Sequence, residues 1–181
     1  SPYEAGLWGI LAQRTSMAQA ASVKRALAEG FGTRLGGPAG AVEATGDVLL
    51  PPSPRRLLDV RAVAGLPEEK LRRLHGLARA ALDGWLEATV LRAMPEDEAR
   101  ARLGALHGVG PWTAEHLLLR GAAVRDVLPV TEPRVLVALG SARGLGRPAT
   151  KTELVAASAA WSGFRTWASV LLVSSLGFGP P

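Results

Sequence analysis

A chain of 181 residues with 48% hydrophobic side chains can form one compact domain, or two small lobes sharing a cleft, around a sizeable core. It has no cysteine, which excludes disulfides, cysteine-ligated zinc and an iron–sulfur cluster. Its 21 Lys+Arg against 16 Asp+Glu leave a net charge of +5, a surplus that suits a polyanion through nonspecific phosphate attraction. No apolar run is long enough for a membrane span, and no secretory signal is visible.

In chain order, Ser1-Pro2-Tyr3-Glu4 reads as a capping box. The helix it starts carries Leu7, Trp8, Ile10 and Leu11 on one apolar face. Gln13-Arg14-Thr15-Ser16 interrupts that helix, and Thr15 or Ser16 caps a second one that ends at Gly30. Phe31 to Pro52 is glycine-rich, with a turn at Gly36-Gly37-Pro38 and room for one short helix near Ala41 to Ala44. Ser53-Pro54 opens another helix, Arg55 to Val60. Leu66-Pro67 opens a longer one, Glu68 to Asp83, with Leu71, Leu74, Ala78 and Leu82 inward and Lys70, Arg72, Arg73 and Arg79 on its other face. Gly84 stops it, and a short segment from Trp85 to Arg92 follows.

Glu96 to Ala105 has the composition of a helix, with Pro95 in its first turn. Gly108-Val109-Gly110 breaks it, and Pro111 restarts a helix through Trp112, His116 and Arg120, closed by Gly121 as a C′ glycine. After a loop, Pro133 begins a helix through Leu139, with Thr131 or Glu132 at its start. Gly140 to Pro148 is a loop. Thr150 caps a helix to Ala160, and Ser162 or Gly163 starts the last one, through Trp167, Val170 and Leu171. Trp8, Trp85 and Trp167 are expected in the core. No stretch alternates like a strand and no hairpin turn dipeptide occurs, so the expected fold class is all-α, with about ten helices.

A glycine hairpin of backbone amides at a helix N-terminus can hold one phosphate without reading sequence. The string Leu106-His107-Gly108-Val109-Gly110-Pro111-Trp112-Thr113-Ala114 has that form, and as LHGVGPWTAEHLLLRG it resembles the helix-hairpin-helix of the HhH-GPD DNA glycosylases. It is most similar to the alkylbase branch, the 3-methyladenine DNA glycosylase II type. The likeness continues into Asp126-Val127-Leu128-Pro129-Val130-Thr131-Glu132, and extends to ILAQRTSMAQAAS near the start and WSGFRTWASVLLVSSLG near the end.

The resemblance implies a division: residues 1–123 as a helical barrel ending in the hairpin, 124–181 as a second lobe, and a cleft between them. It implies that Gly108, Val109, Gly110, Trp112 and Thr113 contact DNA, one phosphate lying on the amides of Gly108, Gly110 and their neighbours, with a monovalent sodium or potassium ion on the main-chain carbonyls of Leu106 and Val109. It places Gln13, Arg14 and Thr15 in a loop that enters the minor groove, with Arg14 as the residue that fills the gap left by a flipped base. Trp112 and His116, four apart on one helix face, line the base pocket, and an electron-rich ring there suits a cationic alkylated purine. Trp161 or Phe164 is the candidate from the second lobe. Core packing for Trp112 and a solvated loop for Arg14 are the plain alternatives.

Glu132 stands where the family carries its catalytic Asp. A carboxylate there would stabilise the positive charge that develops on the sugar. Asp126 is expected to be structural. Lyase-competent relatives have a lysine at the position of Trp112, so the resemblance implies a monofunctional enzyme. The expected protein is a monomeric glycosylase in the bacterial cytoplasm, acting on the nucleoid, whose partner is double-stranded DNA with a damaged, alkylated base. The alternative is a non-catalytic or substrate-altered DNA-binding module, because Glu replaces Asp.

Overall fold

The computed structural model describes residues 1–35 and 48–177. The turn at Gly36-Gly37-Pro38 and the short helix expected near Ala41 to Ala44 lie outside the described residues. Ten α-helices form among those that are described: α1 (Pro2–Ala12), α2 (Met17–Phe31), α3 (Pro54–Leu57), α4 (Glu68–Leu82), α5 (Ala88–Ala93), α6 (Glu96–Gly104), α7 (Pro111–His116), α8 (Pro133–Ala142), α9 (Lys151–Ser158) and α10 (Arg165–Ser174). The all-α class stands as expected, with one small addition. Thr33–Leu35 (β1) pairs antiparallel with Val48–Leu50 (β2), Arg34 opposite Leu49. Strands of three residues are too short to show a period-two pattern.

The helix starts follow local chemistry. Ser1 and Glu4 form the expected capping box, and Thr150 and Glu153 form another at α9. Ser16 rather than Thr15 caps α2, and Ser53 caps α3. Glu132 rather than Thr131 caps α8, its side chain accepting from the Arg134 amide. Phe164, not Ser162 or Gly163, precedes α10.

α1 is the hub. It packs on α2, α4 and α7 and on a π turn, Leu117–Gly121, that continues α7. Leu7, Ile10, Leu74, Leu77, Leu103 and Leu117 fill this first core, which reaches Val127. A second cluster begins at Leu128 and takes in Val135, Leu139, Ala149, Leu154 and Ala157 from α8, α9 and the preceding loops. α10 packs on α8.

Three apolar residues expected inside, Trp167, Trp85 and Leu82, are not. Trp167 is 60% exposed and Leu171 also faces out. α10 instead buries Thr166 and Ser169. The Thr166 hydroxyl donates to the Val124 carbonyl at 2.7 Å and accepts from the Val127 amide at 3.1 Å, and that buried polar anchor sets the helix's rotation. Trp85 lies near the surface under the Arg102 guanidinium, 5.0 Å from its ring centre. Leu82, in the last turn of α4, is exposed. Trp8 is half-buried against the core, with the Lys24 ammonium 5.6 Å from its ring centre.

The π turn meets the start of α1 at Gly121, where a Cβ would lie 2.5 Å from the Pro2 Cα. Gly121→Ala should therefore destabilise the fold by about 1–3 kcal/mol. Gly76, inside α4, has nothing within 4 Å of its would-be Cβ. Gly76→Ala should stabilise by about 0.5–1 kcal/mol. Urea denaturation of the two variants checks both signs.

Candidate functional site

Two concavities meet at Trp112. The first is an open groove of about 1020 Å³ between the α1–α2 loop, α4 and the hairpin that joins α6 to α7. It brings together the expected residues Gln13, Arg14, Thr15, Gly108, Val109, Gly110, Trp112 and Thr113. Gly108 has φ +85, and a Cβ there would overlap the Arg73 side chain. Glycine is thus required by conformation and by space. Gly110 is different: it precedes α7, and nothing lies within 4 Å of its would-be Cβ. The amide end of α7 therefore faces an open approach.

Gln13 does not reach outward. Its amide nitrogen donates to the Gly108 carbonyl at 2.7 Å and to the Thr113 hydroxyl at 3.2 Å, while its oxygen accepts from Arg73 Nη1 at 2.9 Å. It ties the loop to the hairpin. Lys70 ties the loop to α4 from beneath, donating to the Leu11 carbonyl at 2.7 Å and to the Thr15 hydroxyl. Arg14, at the tip, is exposed and sits in the left-handed region at φ 51. Such a backbone in a non-glycine residue is uncommon and marks a tightly specified loop. Arg14 has no polar partner among the described residues. Leu106 O accepts the Val109 amide at 3.0 Å, which leaves its second lone pair for a cation.

The second concavity is a narrow cleft of about 50 Å³, walled by α7 and its π turn on one side and by α8 and α10 on the other. Trp112 and His116 stack within it, ring centres 5.1 Å apart and planes 13° from parallel. The Trp112 indole N–H donates to Glu132 Oε2 at 3.0 Å across the cleft. Arg134 holds the same carboxylate through Nε at 2.9 Å, Nη2 at 3.4 Å and its own amide at 3.2 Å. Burial works against charge on Glu132, but the donors from Arg134 and Trp112 outweigh it and hold its pKa below the ordinary glutamate value. Burial, then the Arg120 cation, push His116 down to about 4, against an upward pull from Glu132. Its imidazole is neutral near pH 7.

Trp161 does not line this cleft; it packs on the second core. Asp126 accepts the Arg165 amide at 3.0 Å, with the Arg165 guanidinium 3.5 Å away. Among the described residues no group of three His, Asp or Glu is placed to hold a metal ion.

Sequence reasoning missed Glu115. Its side chain is 3% exposed and meets Arg100 at 2.8 Å, while the Thr131 amide at 3.1 Å and hydroxyl donate to it. Arg100 also reaches Glu96 at 2.6 Å and the Leu128 carbonyl at 3.0 Å. This network fixes the loop that delivers Glu132. A glutamate at an inward position of a helix was its one signal.

No protein-family model matches this chain. It is 27% identical over 179 residues to the DNA-3-methyladenine glycosylase of Bacillus subtilis, covering 94% of this chain and 55% of that protein. It is 34% identical over 131 residues to DNA-3-methyladenine glycosylase 2 of Escherichia coli, covering 69% of this chain and 43% of that one. Over most of its length the chain is thus similar to DNA-3-methyladenine glycosylases. The Schizosaccharomyces pombe 3-methyladenine DNA glycosylase, solved with abasic DNA, shares the fold: TM-score 0.71 and 20% identity over 98% of this chain and 82% of that one. The chain spans about half the length of the curated relatives it matches.

The glycosylase fold places a titratable His in a half-buried stack, and that has a pH signature. The folded pKa of His116 lies below its ordinary 6.5. The stability it contributes is therefore present above about pH 6.5 and lost as pH falls toward about 4. Unfolding free energy measured across that window should decline on acidification. His116→Phe keeps a stacked ring but cannot titrate, and should flatten the profile by on the order of 1–2 kcal/mol.

Proposed function

We propose that this chain is a monofunctional DNA glycosylase that hydrolyses the N-glycosidic bond of alkylated bases in duplex DNA. The observation that carries this reading is the position of Trp112. It lines both the hairpin groove and the carboxylate cleft, so a strand anchored on the hairpin amides lies one residue from the stacked rings and Glu132. The relatives are named as glycosylases, which favours an enzyme over a non-catalytic module. The complex of the fission-yeast protein with abasic DNA supports a DNA partner.

In this reading Gly108, Val109, Gly110 and Thr113 hold one phosphate at the start of α7. A sodium or potassium ion on the carbonyls of Leu106 and Val109 would add positive charge behind it. Arg14 enters the minor groove and fills the gap as the damaged nucleotide rotates out. Gln13 and Thr15 position that loop. The base passes into the cleft and stacks on Trp112 and His116. At about 50 Å³ the cleft is well below the roughly 300–1,000 Å³ of small-molecule sites, so its walls part to admit the base.

Bond breaking leaves positive charge on the sugar, and the Glu132 carboxylate offsets it. Water adds to C1′ and passes a proton to Glu132, while the departing base carries away the bonding electron pair. An abasic site remains. Trp112 carries no amine to attack the sugar, so the strand is not cut. Residues 1–123 and 124–181 act as the two lobes that close on the base. The setting we assign is a monomer in the bacterial cytoplasm.

Two variants separate binding from chemistry. A Cβ at Gly110 meets no atom within 4 Å beyond its chain neighbours, so the fold of Gly110→Val should stand. Its duplex affinity should drop by roughly 1.5–3 kcal/mol, the worth of charge-assisted hydrogen bonds to a phosphate; unchanged binding would remove the hairpin from the interface. Glu132→Gln should bind DNA as the parent does and lose about 100–1,000-fold in base release. Single-turnover release of methylated purines measures it, and an unimpaired Gln variant would refute the assignment.

A further inference from the structure

The cleft has a charge pattern that bears on which base it accepts. Four charged side chains line it: Glu115, Arg120, Glu132 and Arg134. Both carboxylates are already matched, Glu115 by Arg100 at 2.8 Å and Glu132 by Arg134 at 2.9 Å. Arg120 has no hydrogen-bonded or ion-paired partner among the described residues. The His116 ring beside it is neutral near pH 7. Thus no unmatched negative charge among the described residues faces the cleft, while one unmatched guanidinium does.

A second observation concerns Ser169. This α10 residue is 2% exposed and lines the cleft, yet its hydroxyl has no hydrogen-bond partner. A buried polar group left unmatched costs free energy, and a ligand that supplies its partner recovers it. Arg134, whose side chain is half-exposed, keeps Nη1 without a protein partner among the described residues, since Nε and Nη2 serve Glu132.

Resting on the glycosylase reading above, the geometry points to Arg134 and Ser169 as specificity determinants that favour an uncharged damaged base, one whose polar edge accepts hydrogen bonds, over a cationic one. The chemistry agrees with the electrostatics. A cationic base leaves as a neutral molecule and needs no donor. An uncharged base takes both bonding electrons onto its ring nitrogen and leaves as an anion. Guanidinium and hydroxyl donors on its edge stabilise that charge, and the anion then takes a proton from water. The water that adds to C1′ gives its proton to Glu132, so the sum is hydrolysis. Arg134 also lowers the pull of Glu132 on a positively charged ring, because the pair presents little net charge.

The test compares two duplexes, one carrying 7-methylguanine as the cationic base and one carrying hypoxanthine as the uncharged base. The parent, Arg134→Met and Ser169→Ala are assayed on both under single-turnover conditions. The parent should release hypoxanthine at least as well as 7-methylguanine. Arg134→Met should shift the ratio toward 7-methylguanine by about tenfold or more. Ser169→Ala should lower hypoxanthine release more than 7-methylguanine release, a split that loss of packing alone would not produce. Release of both bases with a ratio that neither variant moves would overturn this inference and leave the glycosylase reading intact. Release of neither base by the parent, with DNA still bound, would overturn both.

Discussion

The buried carboxylate of Glu115 is the contact on which the candidate site depends. It lies in α7, one turn from the hairpin, and takes Arg100 from α6 and both donors of Thr131 from the loop before α8. An ion pair this deep is held by geometry and added hydrogen bonds, and removing one partner strands the other in an apolar setting. Its effect is positional. Thr131 is clamped, so Glu132 must follow with its side chain in the cleft, where the Trp112 indole meets it at 3.0 Å. One network thus fixes the hairpin helix and the candidate catalytic carboxylate relative to each other.

The hairpin side is fixed by a parallel device of opposite character. Gln13 spends its amide on Gly108, Thr113 and Arg73. The interactions are neutral or singly charged and half-exposed, and they span about a hundred residues of sequence. They hold the Arg14 loop against the hairpin, so that the two form one edge of the groove. The two devices share α7, which is only six residues long. Its N-terminal end faces the groove and its Trp112–His116 stack faces the cleft. A short helix suffices because both ends of it are pinned by side chains from elsewhere.

What could be read from sequence divides along the range of the interactions. Ser1-Glu4 and Thr150-Glu153 are capping boxes, settled by residues three apart, and both stand as expected. So do the Gly108-Val109-Gly110 break and the Pro111 restart, where turn chemistry is local. The three-residue strands β1 and β2 carry too little pattern to be seen. Trp167 was misjudged because its helix is turned by Thr166, whose partners lie some forty residues earlier. At the site, the residue types at 112, 116 and 132 were legible through a family likeness. Their company was not: Arg100, Glu115, Arg134 and Ser169 matter only through contacts that no spacing reveals. Trp161 illustrates the converse, an aromatic in the right segment whose ring packs on the second core.

The account rests on one claim, that the cleft hydrolyses a glycosidic bond without cutting the strand. The most direct measurement incubates the protein with methylated duplex DNA and counts released bases, alkali-labile sites and borohydride-trapped protein–DNA adducts in the same samples. The account predicts released bases and alkali-labile sites in equal number, with no trapped adduct. Bound duplex with no released base would contradict the catalytic role of Glu132. A covalent adduct would contradict the water mechanism and point to an amine nucleophile in the groove, where Lys70 is the nearest candidate.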